Sequence, residues 1–478
     1  MLFRTFVVVK EQVTDISKPL EELLSEMRSM RETIDAQYTE IASLKRNIER
    51  LGKENHELRR RLEKYEKPDK NSSNSSTPPS KEKMKDEIDR RTNTLRQKSG
   101  LKPGGQPGHK GYRKEMAAMP DVVQNVASNY CQKCGRDLTD VKGEIDYVSQ
   151  VVDLPVIAPI VTEYRHYTKV CTCGCCNKGY APRGRGNQIR FGKNIKSIVT
   201  YMNVVQCMPY ERLASVMEEV FSVHMSQGTI KNFVQETMKK ARPAIDLLER
   251  MLKESPVVGF DESGCYNNKK LDWAWIAQTA YVTLCFRATG RASKVLEDKF
   301  GDALKNMIAV TDRHSAYFVL DFLDHQVCLA HLLRELEYLT ELDTGQNWSK
   351  EVADLFRKAI HERNAHPTEI IEKKGWMEKL DKLLQANLLH LKENFERLRK
   401  GLVKCRDYIF NFLENPMIPS DNNASERGIR KLKVKQKISG TFRSDKGADA
   451  FFAIHSIADT AWKNKQSQLN AIRTILSL

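Results

Sequence analysis

One stretch of the sequence combines a single acid with a dense run of cations. Glu426 lies within residues 420–446, and a carboxylate in such a setting can hold a divalent cation while the cations hold a polyanion such as nucleic acid. If Ser420 and Asp421 cap a helix here, Arg430 and Lys433 share one face with Glu426. A solvated charged helix is the alternative interpretation. The cations are Arg427, Arg430, Lys431, Lys433, Lys435, Lys437, Arg443 and Lys446.

Two aspartates follow apolar runs that are typical of buried strands. Residues 256–261 end in Asp261, and residues 305–312 end in Asp312. Either aspartate alone is explained as well by a loop cap. Two of them on one sheet, with a third carboxylate on a later helix, predict a shared site. Between them we predict strands at 272–279 and 281–287 and a helix at 291–300, which is the order β-β-β-α-β.

The three acids suit metal-dependent phosphodiester chemistry. Mg²⁺ prefers oxygen ligands, and two ions about 4 Å apart activate the attacking oxygen and stabilise the leaving one. The predicted ligands are Asp261, Asp312 and Glu426, with Mn²⁺ as an alternative ion. Arg430 and Lys433 would then hold DNA rather than transfer protons.

Cysteines cluster in one segment of the chain. Six of the eleven lie between residues 131 and 176, a grouping that indicates metal more often than disulfides in a chain without a secretion signal. Two pairs with C-x2-C spacing predict a closed, structural zinc site, and these are Cys131, Cys134, Cys173 and Cys176. Cys171 and Cys175 are alternative ligands. The scattered cysteines, predicted to be buried apolar residues, are Cys207, Cys265, Cys285, Cys328 and Cys405.

Length and charge limit the class of protein. With 478 residues the chain is expected to form about three domains. Lys and Arg exceed Asp and Glu by 16 (78 − 62), which favours an anionic partner. No stretch reaches about 18 apolar residues, and the N-terminal apolar run lacks a cleavage site. We therefore expect a cytosolic protein with no membrane partner.

Residues 13–65 carry a heptad pattern that predicts a leucine-zipper coiled coil over residues 1–67. In the second half of the pattern, β-branched residues at a, Leu at d and one buried Asn favour a parallel two-stranded coil, and hence a homodimer. A single amphipathic helix packed on its own domain is the alternative. The a positions are Val13, Leu20, Met27, Ile34, Ile41, Ile48, Asn55 and Leu62, and the d positions are Ile16, Leu23, Met30, Gln37, Leu44, Leu51, Leu58 and Tyr65.

The remaining segments complete the predicted domain order. A flexible basic linker, residues 68–115, precedes a small zinc-binding domain, residues 116–185. Residues 186–254 read as a helical domain in which 210–221 and 226–237 have the dimensions of a helix-turn-helix, with Ser226 as a cap. An α/β catalytic core, residues 255–342 and 416–478, is interrupted by a helical insertion, residues 343–415, without a constellation of catalytic type. Core packing explains Cys328 and His331 better than zinc binding does.

In combination, several motifs resemble the transposases of insertion-sequence family sixty-six (TnpC type). The resemblance covers nearly the whole chain. It is carried by the zipper, the linker, the glycine-rich residues 104–111, the paired C-x2-C cysteines, Asp261-Glu-Ser263, Thr311-Asp-Arg-His-Ser-Ala-Tyr317, Cys328-Leu-Ala-His-Leu-Leu-Arg334 and Asp421-Asn-Asn-Ala-Ser-Glu-Arg427. Two features depart from the family pattern: Ser263 stands where the family usually has Thr, and the second cysteine cluster is irregular.

The resemblance implies a ribonuclease-H-like catalytic domain with a DDE triad, which matches Asp261, Asp312 and Glu426. It also implies Mg²⁺-dependent cleavage at the ends of a mobile element and transfer of the freed 3′ hydroxyl into target DNA. Such a protein would work in the bacterial cytoplasm, at the nucleoid. The residues expected to bind DNA are Arg427, Arg430, Lys431, Lys433, Lys435, Lys437 and Arg443.

Two other functions are compatible with these features. A non-catalytic regulator or an inactive transposase remnant needs only the zipper, the zinc-binding domain and the helix-turn-helix. A metal-dependent nuclease acting on RNA makes less use of a dimer. The presence of all three acids favours the transposase.

Overall fold

The N-terminal segment is one long helix. The computed structural model describes residues 2–66, 70, 74, 106–109, 114–179, 189–388 and 391–478. Helix α1 spans Leu2–Glu66, as the heptad pattern predicts. Most of the predicted basic linker, residues 68–115, lies outside the described residues. Wherever their side chains are described, the apolar seam residues are exposed: Met27, Met30, Ile34, Ile41, Leu44, Ile48, Leu51 and Leu58.

The cysteine-rich segment contains little regular structure. Strands β1 (Thr168–Val170) and β2 (Cys176–Lys178) form an antiparallel pair. The strand-like sequence between the two cysteine clusters forms no other strand within residues 114–179, apart from an isolated bridge between Tyr130 and Asp137. Its apolar side chains are exposed, so the segment has no buried face on which a strand could be stabilised.

A three-helix unit follows, with its own apolar core. It contains α2 (Lys193–Val204), α3 (Tyr210–Phe221) and α4 (Gln227–Lys253). The Ser226 side chain accepts a hydrogen bond from the backbone N–H of Thr229 at 3.1 Å, which confirms the predicted cap. Helix α4 continues well past residue 237, where the predicted helix-turn-helix ended. The core residues are Val199, Leu213, Met217, Val223, Met225, Ile230 and Phe233.

The central sheet has five strands in the order β5-β4-β3-β6-β7. The first three strands pair antiparallel, whereas β6 runs parallel to β3 and β7 runs parallel to β6. A mixed sheet surrounded by helices is compatible with the expected ribonuclease-H-like domain, and the predicted order β-β-β-α-β is present. The elements are β3 (Val257–Asn267), β4 (Lys270–Gln278), β5 (Thr283–Ala288), α5 (Lys294–Phe300), β6 (Ile308–Thr311) and β7 (Asp324–Val327).

Helices flank the sheet and form the insertion. Helix α6 (Leu329–Leu342) leads from β7 into α7 (Trp348–Ala365), α8 (Lys374–Leu384), α9 (Glu393–Lys404) and α10 (Asn411–Glu414), and these pack around one apolar cluster. The chain then returns to the sheet through α11 (Asn423–Ser439), α12 (Asp445–Lys463) and α13 (Gln468–Ser477). The cluster includes Leu336, Trp348, Phe356, Phe395, Leu402 and Phe410.

The three-helix unit and the sheet share buried residues. Val204 and Val234 belong to the same apolar cluster as Ile276 of β4 and Phe451 of α12. Residues 189–253 therefore pack directly against the domain that contains the sheet. The five scattered cysteines are buried, as predicted, and burial raises the pKa of Cys328 to about 12. Among the helices in the described ranges, none is both long and apolar enough to span a membrane.

Candidate active site

Asp261 lies within β3, which continues to Asn267 instead of ending at the aspartate as predicted, whereas Asp312 directly follows β6. Strands β3 and β6 pair in parallel, with Val257 opposite Ile308 and Gly259 opposite Val310. Asp261 and Asp312 each lie four residues beyond the first of these pairs. Because neighbouring parallel strands carry equivalent positions side by side, the register brings the two aspartates to one level, at the carboxyl end of β6.

Electrostatics places the third acid near the same point. The pKa of Asp261 is raised well above its usual value, first by burial and then by the negative charges of Glu262, Asp312 and Glu426. Mutual repulsion of this kind is relieved when a cation binds between the acids. The charges of Asp312 and Glu426, which are far from Asp261 in the sequence, therefore both act on Asp261 in the fold.

Short hydrogen bonds orient one oxygen of each aspartate. Oδ1 of Asp261 accepts the backbone N–H of Glu262 at 2.9 Å, and Oδ1 of Asp312 accepts the backbone N–H of His314 at 2.8 Å. Within the described part of the chain, the second oxygen of each carboxylate has no hydrogen-bond donor. These two oxygens are hard ligands of the type that Mg²⁺ prefers.

The start of α11 is fastened to the sheet beside Asp261. The Asn422 side-chain amide donates a hydrogen bond to the carbonyl of Phe260 at 2.6 Å, and the Asn422 backbone N–H donates to Sγ of Cys328 at 3.1 Å. The Ser425 hydroxyl donates to Oδ1 of Asn422 at 2.6 Å. These bonds place Glu426, in the first turn of α11, next to the aspartates.

The cap of this helix differs from the prediction. Asn422 is the residue that precedes α11, instead of Ser420 or Asp421. The Ser420 carbonyl accepts the backbone N–H of Leu329 at 3.0 Å, and Oδ1 of Asp421 accepts the backbone N–H of Asn423 at 2.9 Å. Because these groups tie the loop to α6 and shape the turn, the helix begins at Asn423, three residues after Ser420.

Close packing between β3 and α11 requires a glycine. A Cβ atom on Gly259 would lie 2.7 Å from Oδ1 of Asn422, 2.8 Å from Nε2 of Gln278 and 2.9 Å from Oγ of Ser425. At Gly428 on α11, a Cβ atom would collide with Cδ1 of Ile276, the end of a buried side chain that would have to move. The helix therefore approaches the sheet more closely than any side chain at these positions would permit.

Arg334 and His331 contact Glu426, although the sequence interpretation assigned them no role in the site. Both Nη atoms of Arg334 donate to Oε1 of Glu426 at 3.2 Å, and Nη2 also lies 3.3 Å from Oε2. Nε2 of His331 lies 3.4 Å from Oε1. Cys328 is buried, as expected, but His331 faces the acid rather than the apolar core. The C-x2-H-x2-R spacing from Cys328 to Arg334 was the available signal.

A second cluster lies behind Asp261. Glu262 has no exposed side-chain surface; it accepts a hydrogen bond from the Tyr317 hydroxyl and one from Nε of Arg291 at 2.6 Å. Tyr317 is buried and follows Asp312 by five residues, so this bond ties the Asp312 loop to β3. Burial, together with Glu262 and Asp261, raises the pKa of Tyr317 well above its usual value, which keeps it protonated as a donor.

The acids fit a hard divalent cation by donor type, although they do not form a closed ligand shell. Within the described ranges, no group of three or more His, Cys, Asp or Glu side chains is arranged to hold a metal ion. Arg334 occupies both oxygens of Glu426 and supplies the positive charge at this corner of the site. Among the described residues the three acids therefore form no ready-made metal site, and an internal cation is bound to Glu426.

Each cysteine cluster forms a turn that is closed by hydrogen bonds to its first cysteine and contains a glycine. The backbone carbonyl of Cys131 accepts a hydrogen bond from the N–H of Gly135, and the backbone N–H of Cys131 donates one to the carbonyl of Arg136, both at 2.8 Å. In the second cluster the carbonyl of Cys171 accepts a hydrogen bond from the N–H of Gly174 at 2.8 Å, and the N–H of Cys171 donates to the carbonyl of Cys175 at 2.9 Å. The second turn is therefore one residue shorter than the first. Gly135 and Gly174 have φ values of 72° and 81°, which favour glycine.

These turns favour thiolates and pair the cysteines differently from the prediction. A hydrogen bond from the backbone N–H of Cys134 is the main cause that lowers the pKa of Cys131. A hydrogen bond from the backbone N–H of Cys173 likewise lowers the pKa of Cys171. The second turn therefore contains Cys171 and Cys173, whereas Cys176 begins strand β2.

The predicted DNA-binding cations divide into two groups. Nζ of Lys431 donates to the carbonyl of Val205 at 2.9 Å, and burial lowers the pKa of Lys435 near Cys207. Both side chains face the three-helix unit. The exposed members are Arg427, Arg430, Lys433, Lys437 and Arg443.

Comparison with known proteins agrees with this geometry. A model of a family of unknown function, DUF6444, matches residues 21–115, and no curated protein matches the chain. The model described as Transposase IS66 family matches residues 188–450, more than half of the sequence and the whole region that carries Asp261, Asp312 and Glu426. The chain belongs to the IS66 family of transposases.

Proposed function

We propose that this protein cuts the ends of a mobile insertion sequence and joins them to target DNA by two-metal phosphodiester hydrolysis and strand transfer. The observation that supports the proposal is that Asp261 of β3 and Asp312, directly after β6, lie at one level, with the start of α11 hydrogen-bonded to β3 beside them. The mutual repulsion expressed in the pKa of Asp261 supports it. A site of this kind works in the bacterial cytoplasm, on the DNA of the nucleoid.

Each acid has a defined part in the proposed chemistry. Asp261 and Asp312 would hold Mg²⁺ from the sheet, and Glu426 would hold it from α11. Bound Mg²⁺ supplies activation of the attacking oxygen and neutralises charge on the leaving one, with Mn²⁺ as a substitute. Arg334 and His331 position Glu426, and the Glu262–Tyr317 bond fixes the spacing between β3 and the Asp312 loop.

The exposed cations of α11 suit the DNA backbone. Arg430 and Lys433 follow Glu426 by four and seven residues, so one helical face carries both the metal ligand and the phosphate-binding groups. Lys431 and Lys435, which pack toward the three-helix unit, would influence DNA binding through the orientation of α11. Arg427, Lys437 and Arg443 extend the exposed positive surface.

The proposed activity is tested by incubating purified protein with DNA that carries the element ends. We expect nicking that requires Mg²⁺, and we expect the Asp261→Asn variant to lose it, because an amide cannot neutralise a metal ion. Competition with RNA of matched sequence distinguishes a ribonuclease. Nicking undiminished by the substitution would overturn the assignment and leave a non-catalytic DNA-binding protein.

We also propose one structural zinc ion in the cysteine-rich segment, held by Cys131, Cys134 and Cys173. The turn geometry favours Cys171 over Cys176 as the fourth ligand, because Cys171 is the equivalent of Cys131. Metal analysis of the full chain should find about one zinc per chain. Cys171→Ser should abolish binding and Cys176→Ser should retain it; a metal-free wild-type protein would refute the site.

The exposed seam of α1 supports a homodimer. Ile34, Ile41 and Ile48 at a and Leu44, Leu51 and Leu58 at d leave about half or more of their surface in water in a single chain. A parallel partner helix would cover that stripe. Sedimentation of the full chain should therefore show a dimer, and a monomer at every concentration would contradict the proposal.

A further inference from the structure

The insertion presents a basic helical face that the proposed function has not used. Helix α9 buries Phe395, Leu398 and Leu402 in the insertion core. Its opposite face is exposed and carries charged residues at spacings of four, three and four, as a helical stripe requires. These residues are Glu393, Arg397, Lys400 and Lys404.

This face lies beside the loop that carries Asp312. Gly401 occupies the border of the exposed stripe, and a Cβ atom there would collide with Nη1 of Arg313. Arg313 directly follows Asp312 and forms an ion pair with Glu335 of α6. The guanidinium of Arg313 thus connects the Asp312 loop to the basic side of α9, and the glycine makes that approach feasible.

The charge balance of the face is positive. Glu396 forms ion pairs with Arg399 at 2.6 Å and with Lys400 at 3.7 Å. Nη2 of Arg397 donates a hydrogen bond to the neutral side chain of Asn394 at 2.6 Å. Glu393 is the one acid on the stripe, at its start. Three cations against that one acid leave a net charge of +2, concentrated in the second half of the helix.

We propose that Arg397, Lys400 and Lys404 form a second contact with the phosphate backbone of duplex DNA. The seven residues from Arg397 to Lys404 rise about 10.5 Å, close to the length of three base pairs. The α9 face receives DNA on the Asp312 side of the site, while α11 holds it on the Glu426 side. This inference rests on the proposed function, because it assigns the path of the same DNA substrate.

The test compares two triple variants of the full chain. One carries Arg397→Gln, Lys400→Gln and Lys404→Gln. The matched control replaces three exposed lysines on other helices of the insertion, Lys350→Gln, Lys358→Gln and Lys382→Gln. Both bind a fluorescent 30-base-pair duplex of arbitrary sequence, without Mg²⁺, over a range of KCl concentrations, and circular dichroism verifies that both fold.

Each lost phosphate contact reduces the slope of log affinity against log salt concentration by about 0.9. The α9 variant should therefore lose about 2 to 3 units of slope. It should also bind the duplex at least about tenfold more weakly at low salt. The control should match wild type. An unchanged slope in the α9 variant, or an equal fall in the control, overturns the proposal. Because binding is measured without Mg²⁺, a protein that binds through α9 yet never nicks DNA would refute the proposed catalysis and leave this surface intact.

Discussion

Replacing Glu426 with Gln is expected to reduce Mg²⁺-dependent cleavage about 1,000-fold, equivalent to roughly 4 kcal/mol of transition-state stabilisation. Glutamine has the size of glutamate, and its amide oxygen still accepts a hydrogen bond from Arg334. It brings no negative charge to a divalent cation, however. The loss should therefore appear in the cleavage rate, measured with end-bearing DNA at saturating protein, while folding and DNA binding stay close to wild type.

Glu378→Gln provides the matched control for this variant. Glu378 is an exposed acid of α8 in the insertion, so its neutralisation alters the net charge by the same amount. Its cleavage rate should equal that of wild type. A Glu426→Gln variant that cleaves within threefold of this control would remove Glu426 from the catalytic group.

Gly259→Ala is expected to impair both folding and cleavage. The added methyl group would meet Asn422, Gln278 and Ser425 at less than 3.0 Å, so the start of α11 must shift away from β3. Overpacking of this kind costs about 1–3 kcal/mol of unfolding free energy. Because Glu426 lies in the displaced turn, cleavage should fall at least about 100-fold, since displacements near 1 Å have effects of that size. Urea unfolding and the cleavage assay measure the two effects.

Gly264→Ala on the same strand separates this mechanism from a general intolerance of β3 to alanine. The nearest atom to its new Cβ is Cδ1 of Leu271, at 3.2 Å, the end of a side chain that can move. We expect nearly wild-type stability and cleavage. Equal losses in the two variants would show that the helix-to-strand contact at Gly259 has no special part in positioning Glu426.

The strands and their aspartates are predictable because the signal is local. A short apolar run that ends in an acid is visible in the sequence at Asp261 and Asp312, and parallel pairing then places the two together. Glu426 is identifiable from its isolation among cations. The helical insertion and the buried cysteines also follow from composition and pattern.

Contacts between distant segments are less accessible from sequence. Arg334 and Glu426 are separated by 92 residues, and their ion pair depends on how α6 and α11 pack on one sheet. Glu262 and Tyr317 meet for the same reason, across 55 residues. Caps are equally sensitive to packing: Ser420 has a good capping side chain, but tertiary hydrogen bonds move the cap position of α11 to Asn422.

The second cysteine turn illustrates a different limit. C-x2-C spacing selected Cys173 and Cys176, whereas backbone hydrogen bonds and the positive φ of Gly174 define a shorter turn around Cys171 and Cys173. Turn geometry depends on which residue adopts the left-handed conformation, and Gly174 marks that position. In the zinc site proposed above, the turn around Gly174 is therefore the reason for preferring Cys171 and Cys173 as ligands from the second cluster.

The most direct test of the proposed catalytic site is the position of bound Mn²⁺, located by its anomalous scattering in crystals of the protein with DNA. We expect Mn²⁺ in contact with carboxylate oxygens of Asp261, Asp312 and Glu426, at the oxygen distances of about 2.0–2.2 Å typical of small divalent cations. Mn²⁺ bound elsewhere, with Glu426 still held by Arg334 and remote from the ion, would contradict it.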